Sequence, residues 1–220
     1  IVFSSSATVY KAKLNLLSEK DTCEPYNPYG FTKYTVERIL NDIFNRTFSQ
    51  WRIVCLRYFN PVGAHESGLI GENPSGKANN IYPQITRVAM GKQSKIKIFG
   101  SDWPTNDGTG VRDYIHIMDL AEVHITCLEK LMNIKDNSFF KVYNVGTGKG
   151  TSVLELINLF ENVNQLKLNY KVGKRRDGDV VIAYADTSKI KNELNWTTKY
   201  SLENALKTAW NWELNINKNE

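Results

Sequence analysis

Three segments at the start of the chain leave little choice of fold class. Ile1-Val2-Phe3 is an apolar, β-prone run, residues 27–44 have the spacing of an amphipathic helix, and Arg52–Phe59 is a second apolar run. Strand, helix, strand in that order predicts a βαβ unit, and so a parallel sheet in an α/β protein. Asn27 is placed to cap the helix, and Pro28 fits its first turn, where a missing N–H costs nothing. Val36, Ile39, Leu40, Ile43 and Phe44 recur at helical spacing and predict one apolar face. Tyr29 and Lys33 are four apart, hence one turn apart on the same side. An ammonium beside a phenol favours the phenolate, so Tyr29 is expected below its ordinary value of ~10, as a base nearer neutrality. Tyr-x-x-x-Lys alone is common by accident, and spacing by itself favours an ordinary first-turn surface pair.

The first apolar run empties into Ser4-Ser5-Ser6-Ala7-Thr8. That is either a strand-ending turn or the hydroxyl-lined strand tip of an α/β crevice, where ligands bind. Residues 11–26 read as a polar loop, and residues 60–80 as a long loop of the kind that carries function. Further on, a helix is expected over 81–90, a half-exposed strand over 95–99 and an irregular Gly-rich loop over 100–113. A short strand over 114–117 leads to a helix capped by Asp119 with Glu122, whose buried stripe is Leu120, Val123, Cys127, Leu128 and Leu131. His124 beside it reads as a packed residue.

An apolar strand over 139–145 is followed by Gly146-Thr147-Gly148-Lys149-Gly150 and a Ser152/Glu155 capping box. The third glycine of a dinucleotide fingerprint is missing, since Thr151 stands there, so a structural turn is preferred to a phosphate loop. After a strand over 167–172, Lys174-Arg175-Arg176-Asp177-Gly178-Asp179 is either a solvated loop or a phosphate clamp. Helices over 187–194 and 201–214 close the chain, with Trp196, Trp210 and Trp212 packing between them.

The net charge of +5 is scattered, which does not point to nucleic acid, and no apolar run reaches membrane-spanning length. Cys23, Cys55 and Cys127 form no CxxC and read as reduced core thiols of a cytosolic protein. His65, His116 and His124 have no metal-ligand spacing.

Four stretches together are far more specific than any one: Phe3–Tyr10, Pro28–Lys33, Leu56–His65 and Asp107–His116. With Tyr143–Gly148, Arg175–Asp179 and Glu193–Trp196 they closely resemble the UDP-glucose 4-epimerase family of extended short-chain dehydrogenase/reductases, along the whole chain. The resemblance implies a Rossmann-like doubly wound parallel sheet with a smaller α/β substrate domain. Residues 1–60 would be the end of the NAD domain and 61–220 mainly the UDP-sugar domain, with about 114–150 returning to the first. It implies bound NAD, a UDP-sugar substrate and a homodimer. Tyr29 would be the base at the sugar 4-hydroxyl, Lys33 would hold the nicotinamide ribose, and Ser6, near Ala7 and Thr8, would bond the 4-oxygen. Ser4 would lie on the cofactor side, and Tyr58, Phe59 and Asn60 between cofactor and sugar nucleotide. Asn79, Asn80, Ile81, Lys97, Ile98 and Phe99 would line the uridine side. Arg112 and Arg176 would take the diphosphate, Asp179 the uridine ribose, and the small Ala183 would leave room for an N-acetyl group.

The family's glycine fingerprint and the acidic residue for the adenosine ribose are not in this sequence, so a fragment that does not itself hold NAD is expected. A 4,6-dehydratase of the same fold would want an acid pair after Thr8, where Val9 and Tyr10 stand. An epimerase of uronic acids would want an extra anion partner, which is not identifiable. A UDP-sugar-binding remnant without catalysis is the reading from another class.

Overall fold

In the computed structural model, described for all residues except 47–49, 75–79, 137, 177 and 219–220, the βαβ unit forms as expected. Strand β1 (Val2–Ser6) pairs in parallel with β2 (Arg52–Tyr58), and β2 with β7 (Phe139–Val145). Helix α1 (Pro28–Arg46) crosses between β1 and β2. The Asn27 side chain accepts from the Gly30 N–H at 2.7 Å, the predicted cap. Beyond β2 the chain makes β3 (Asn60–Val62), α2 (Ile81–Ala89), β4 (Ile96–Phe99), β5 (Val111–Arg112) and β6 (Tyr114–His116). Then come α3 (Ile117–Asn133), which precedes β7, and after β7 come β8 (Thr151–Ser152), α4 (Val153–Asn164), β9 (Tyr170–Gly173), β10 (Ile182–Ala183), α5 (Ser188–Leu194) and α6 (Leu202–Lys218).

Small sheets carry the second half: β3 with β6 and β4 with β9, both parallel, and β5 between β10 and β8. Both expected loops therefore contain strands, β3 in the first and β5 in the second. Two- and three-residue strands are too short to show a period, and distant partners define them. One core lies between β4, α2, α4 and α6, with Ile85, Ile98, Phe160 and Trp210 in it. A second lies under α3 on the large sheet, with Val54, Leu56, Val123 and Tyr143.

Several side chains depart from expectation. The apolar stripe of α1 is only partly covered: Val36, Leu40, Ile43 and Phe44 are half-buried, Ile39 is 52% exposed, and only Gly30 and Glu37 of the helix are buried. The helix is rolled so that the Tyr29–Lys33–Glu37 row meets β1, with Glu37 ion-paired to Arg57 of β2. In α3, Leu128 is exposed, whereas Leu120, Val123, Cys127 and Leu131 are buried. Trp196 sits in the second core and Trp210 in the first, while the Trp212 indole donates to the Glu72 carbonyl at 3.0 Å. Cys55 and Cys127 are buried and Cys23 half-buried, all as free thiols. No described helix is long and apolar enough to cross a membrane.

Asp119 does not cap α3. Strand β6 runs straight into the helix, so His116 takes the cap position, its Nδ1 accepting from the Met118 N–H at 3.0 Å. Asp119 lies inside the first turn and accepts from the Lys199 and Tyr200 N–H groups at 2.9 and 3.2 Å. His116 is 2% exposed, and its Nε2 lies 3.2 Å from the Thr208 hydroxyl. Burial holds its pKa below the ordinary 6.5, against smaller upward pulls from Asp119 and Asn204. A depressed histidine pKa means the unfolded chain takes up the proton first. The stabilisation is thus present above about pH 6.5 and lost as pH falls through the folded value. Urea midpoints of the chain are expected to drop between pH 7.5 and 5.5. His116→Asn, which still caps, should flatten that drop. An equal drop in the variant would mean another group is responsible.

Candidate active site

The site is assembled where the parallel strands end. Ser6 closes β1, and its Oγ accepts from Thr8 N at 3.2 Å and Thr8 Oγ1 at 3.0 Å, fixing a short 3-10 turn over 7–9. With two bonds accepted, the Ser6 hydroxyl proton is free to point outward. Gly30 permits the approach of α1: a Cβ there would stand 2.4 Å from the Thr8 carbonyl oxygen. The helix so placed presents Tyr29 and Lys33 beside the strand tip.

The Lys33 ammonium donates to the Ser4 carbonyl at 3.0 Å and lies 5.5 Å from the centre of the Tyr29 ring. The expected lowering of the phenol is not observed: Tyr29 is raised, first by burial and then by the neighbouring Tyr58, with the Ser6 hydrogen bond pulling down. The ammonium is committed to a carbonyl and the ring is half-covered, so desolvation wins. Ser4 has a partner that sequence reasoning did not find. His124 places Nδ1 2.7 Å from the Leu120 carbonyl, so that nitrogen carries the proton, and Nε2 accepts from the Ser4 hydroxyl at 3.0 Å. His124 is thus a half-buried bridge rather than a packed core residue.

Two cavities open from this tip. The first, about 540 Å³, runs over Ser6, Ala7, Thr8, Tyr58, Phe59, Asn60, Arg112 and Ala183. The second, about 710 Å³, is lined by Asn60, Asn80, Ile81, Lys97, Ile98, Phe99, Arg112, Arg176 and Asp179. Asn60, Arg112 and Val180 belong to both. Nearly every residue singled out for a substrate role therefore lines one continuous depression; Tyr29, Lys33 and Ser4 stand beside it, and Asn79 lies outside the described residues. Tyr26, Gln84 and Trp103 also line it and were missed. Tyr26 and Trp103 lie in loops, and Gln84 is one polar residue in the first turn of α2, so no periodicity marks them.

The far cavity is electropositive. Arg176 donates to Asp179 at 2.7 Å, and Arg112 lies 3.8 Å from the same carboxylate oxygen, so two guanidinium groups share one acid. Lys97 lies 4.8 Å from the Phe99 ring centre. Of the basic loop only Arg176 turns inward; Arg175 stacks on Trp103 at 4.0 Å and pairs with Asp102. The glycine turn is structural, as expected. The Thr147 and Gly148 N–H groups donate to Asp113 at 2.8 and 3.0 Å, and Gly148 has φ +74°. Burial raises the Asp113 carboxyl above its ordinary value despite these donors.

A parallel α/β sheet with a Tyr-x-x-x-Lys helix at its strand ends, joined to an anion-suited cavity, defines a class: short-chain dehydrogenase-like proteins with a nucleotide-sized cleft. Residues 1–209 match the family described as GDP-mannose 4,6 dehydratase, and the chain belongs to that family. It is 48% identical over 213 residues to UDP-glucose 4-epimerase 4 of Oryza sativa subsp. japonica, covering 96% of this chain and 57% of that protein. To UDP-glucose 4-epimerase of Pasteurella multocida it is 48% identical over 215 residues, covering 96% and 62%. Among solved structures, UDP-glucose-4-epimerase from Stenotrophomonas maltophila with bound NAD and formylated UDP-arabinopyranose superposes with a TM-score of 0.95 at 41% identity, over 100% of this chain and 64% of that one. The chain thus spans about three fifths of the length of these relatives. The Rossmann-like fold is shared with them.

Proposed function

We propose that this chain carries the catalytic helix and the sugar-nucleotide cleft of an NAD-dependent UDP-hexose 4-epimerase, interconverting UDP-galactose and UDP-glucose. The observation that carries this reading is the continuity of the two cavities through Asn60 and Arg112: a hydroxyl-lined strand tip lies at one end and a shared guanidinium pair at the other. The diphosphate would displace Asp179 from Arg112 and Arg176, leaving that carboxylate to the uridine ribose. Uridine would lie against Phe99 and Ile81, with Asn80 and Lys97 at its edge. The hexose would then reach Ser6, Tyr58 and Tyr29.

The residues present fit one end of NAD: Tyr29, Lys33, Ser4, Tyr58 and Phe59 suit a nicotinamide riboside. They do not offer its pyrophosphate a cradle, because the amides of the glycine turn are spent on Asp113. NAD, when bound, supplies a hydride acceptor that no side chain replaces. The protein's part is proton handling at the 4-oxygen. Ser6 would hydrogen-bond that oxygen, and Tyr29, as the phenolate left once its own proton has gone to solvent, would take the 4-hydroxyl proton. The raised phenol must first be lowered, and release of Lys33 from the Ser4 carbonyl toward Tyr29 supplies the charge that does so.

A dehydratase reading is disfavoured by Val9 and Tyr10, 0% and 1% exposed, where an acid pair would stand. The same reading takes the protein as cytosolic, and as a homodimer, the exposed Phe31 and Ile39 on α1 being the observation that supports the second of these.

Calorimetric titration with UDP tests the cleft. Arg176→Ala removes one charge-assisted contact worth about 1.5–3 kcal/mol, so UDP affinity should fall about 10- to 100-fold and lose part of its salt dependence. Unchanged affinity would place the nucleotide elsewhere. Ala183 leaves the sugar end open to an N-acetyl group. Ala183→Tyr should abolish activity on UDP-N-acetylhexosamines and spare that on UDP-galactose; persistence of the former would remove Ala183 from the specificity account.

A further inference from the structure

Glu37 is 4% exposed, and the function proposed above gives it no task. It stands four residues after Lys33 and eight after Tyr29, so the three form one row along α1. That row meets three consecutive serines. Lys33 donates to the Ser4 carbonyl, the Ser5 hydroxyl donates to Glu37, and Tyr29 stands next to the Ser6 hydroxyl. Arg57 closes on Glu37 from the next strand, with Nε 2.9 Å from Oε1 and Nη2 2.5 Å from Oε2.

The other contacts of α1 are partial: half-buried Tyr34 packs against the cluster of Val9, Tyr10 and Phe59, and half-buried Phe44 lies 5.5 Å from the Phe140 ring. Gly30 and Glu37 are its only buried residues among those described, so no fully buried apolar knob locks the helix into a groove. Gly30 limits how near the helix comes but not how far it slides. One residue of slip is about 1.5 Å, and a misplacement of ~1 Å costs about 10²-fold in rate. We propose that Glu37, held between Ser5 and Arg57, is a positioning residue that sets the register of α1 on the strand tip and so brings Tyr29 and Lys33 opposite Ser6. This rests on the reading of Tyr29 and Lys33 as the reacting pair.

A buried ion pair is a poor source of stability compared with well-packed apolar groups, but its hydrogen bonds accept one placement only. Glu37→Leu/Arg57→Met therefore separates the two roles. In the 220-residue chain labelled with ¹³C at tyrosine Cζ, this double variant should stay folded, with unchanged NOEs between Phe160 and Trp210 in the distant core. It should lose the NOEs between Tyr29 and Ser6, and its Tyr29 titration should differ from that of the parent, since both the cover of the ring and the Ser6 contact change. Glu37→Gln, whose amide nitrogen cannot accept from Arg57, should lose part of both signals. A folded double variant with unchanged Tyr29 NOEs and titration overturns the proposal. If the double variant does not fold, Ser5→Ala decides: at least a twofold loss of the Tyr29–Ser6 NOE supports the role, and an unchanged NOE overturns it. UDP binding read on the unaltered chain does not pass through Glu37, so its failure would count against the proposed function alone.

Discussion

On the proposed function, Tyr29→Phe is expected to lower turnover of UDP-galactose, by the protein that carries this chain, about 10²- to 10⁴-fold, the usual worth of a positioned general base. UDP affinity should change less than about twofold, since the phenol stands beside the sugar end and outside the cavity holding Arg176 and Asp179. The variant keeps the ring and its packing on α1 and removes only the proton acceptor. Ser6 then still hydrogen-bonds the 4-oxygen, but nothing at the tip takes its proton. NMR of the sugar anomeric signals measures the conversion, and calorimetry with UDP measures the other half. Undiminished conversion with tight UDP binding would leave the cleft assigned and the base unassigned.

Asp113→Ala has the largest expected effect on stability. Its carboxylate is fully buried and accepts from Thr147 N at 2.8 Å, Gly148 N at 3.0 Å, Ala185 N at 3.2 Å and the Thr147 hydroxyl at 2.6 Å. Removing it strands four donors, each worth ~1–3 kcal/mol when unsatisfied, so a loss on the order of 4 kcal/mol or more follows. The effect reaches the cleft, because Asp113 lies between Arg112 and Tyr114, and its own N–H donates to the Ala183 carbonyl at 3.0 Å. Urea unfolding should show the loss directly, and UDP binding should weaken with it. Asp113→Asn, which keeps one acceptor oxygen, should fall between the two. An alanine variant as stable as the parent would mean that the turn satisfies its amides without the carboxylate.

Much of the site was legible from residue order. Asn27 and Pro28 locate the start of α1, and that start puts Tyr29 and Lys33 on the β1 side. The scattered polar residues of the cleft were reachable only through a family likeness, because they come from five separate elements and loops. Three features were not legible, each because it depends on a distant partner. A lone Glu37 on a helix reads as a solvated acid until Arg57 and Ser5 are seen around it. Asp119 has the spacing of a cap, but β6 joins α3 without a linker and hands that position to His116. The direction of the Tyr29 shift depends on where the Lys33 ammonium points, which the spacing of four does not specify.

The central claim is that the two cavities hold one molecule, nucleotide at the guanidinium end and sugar at the serine tip. Tyrosine-selective ¹³C labelling tests it on the chain as it stands, because Tyr114 lines the far cavity and Tyr58 the near one, with Tyr29 beside it. UDP should shift Tyr114 and leave Tyr29 and Tyr58 unmoved; UDP-galactose should shift all three along one saturation curve. Saturation of Tyr114 by UDP-galactose with Tyr29 and Tyr58 unmoved would contradict the account.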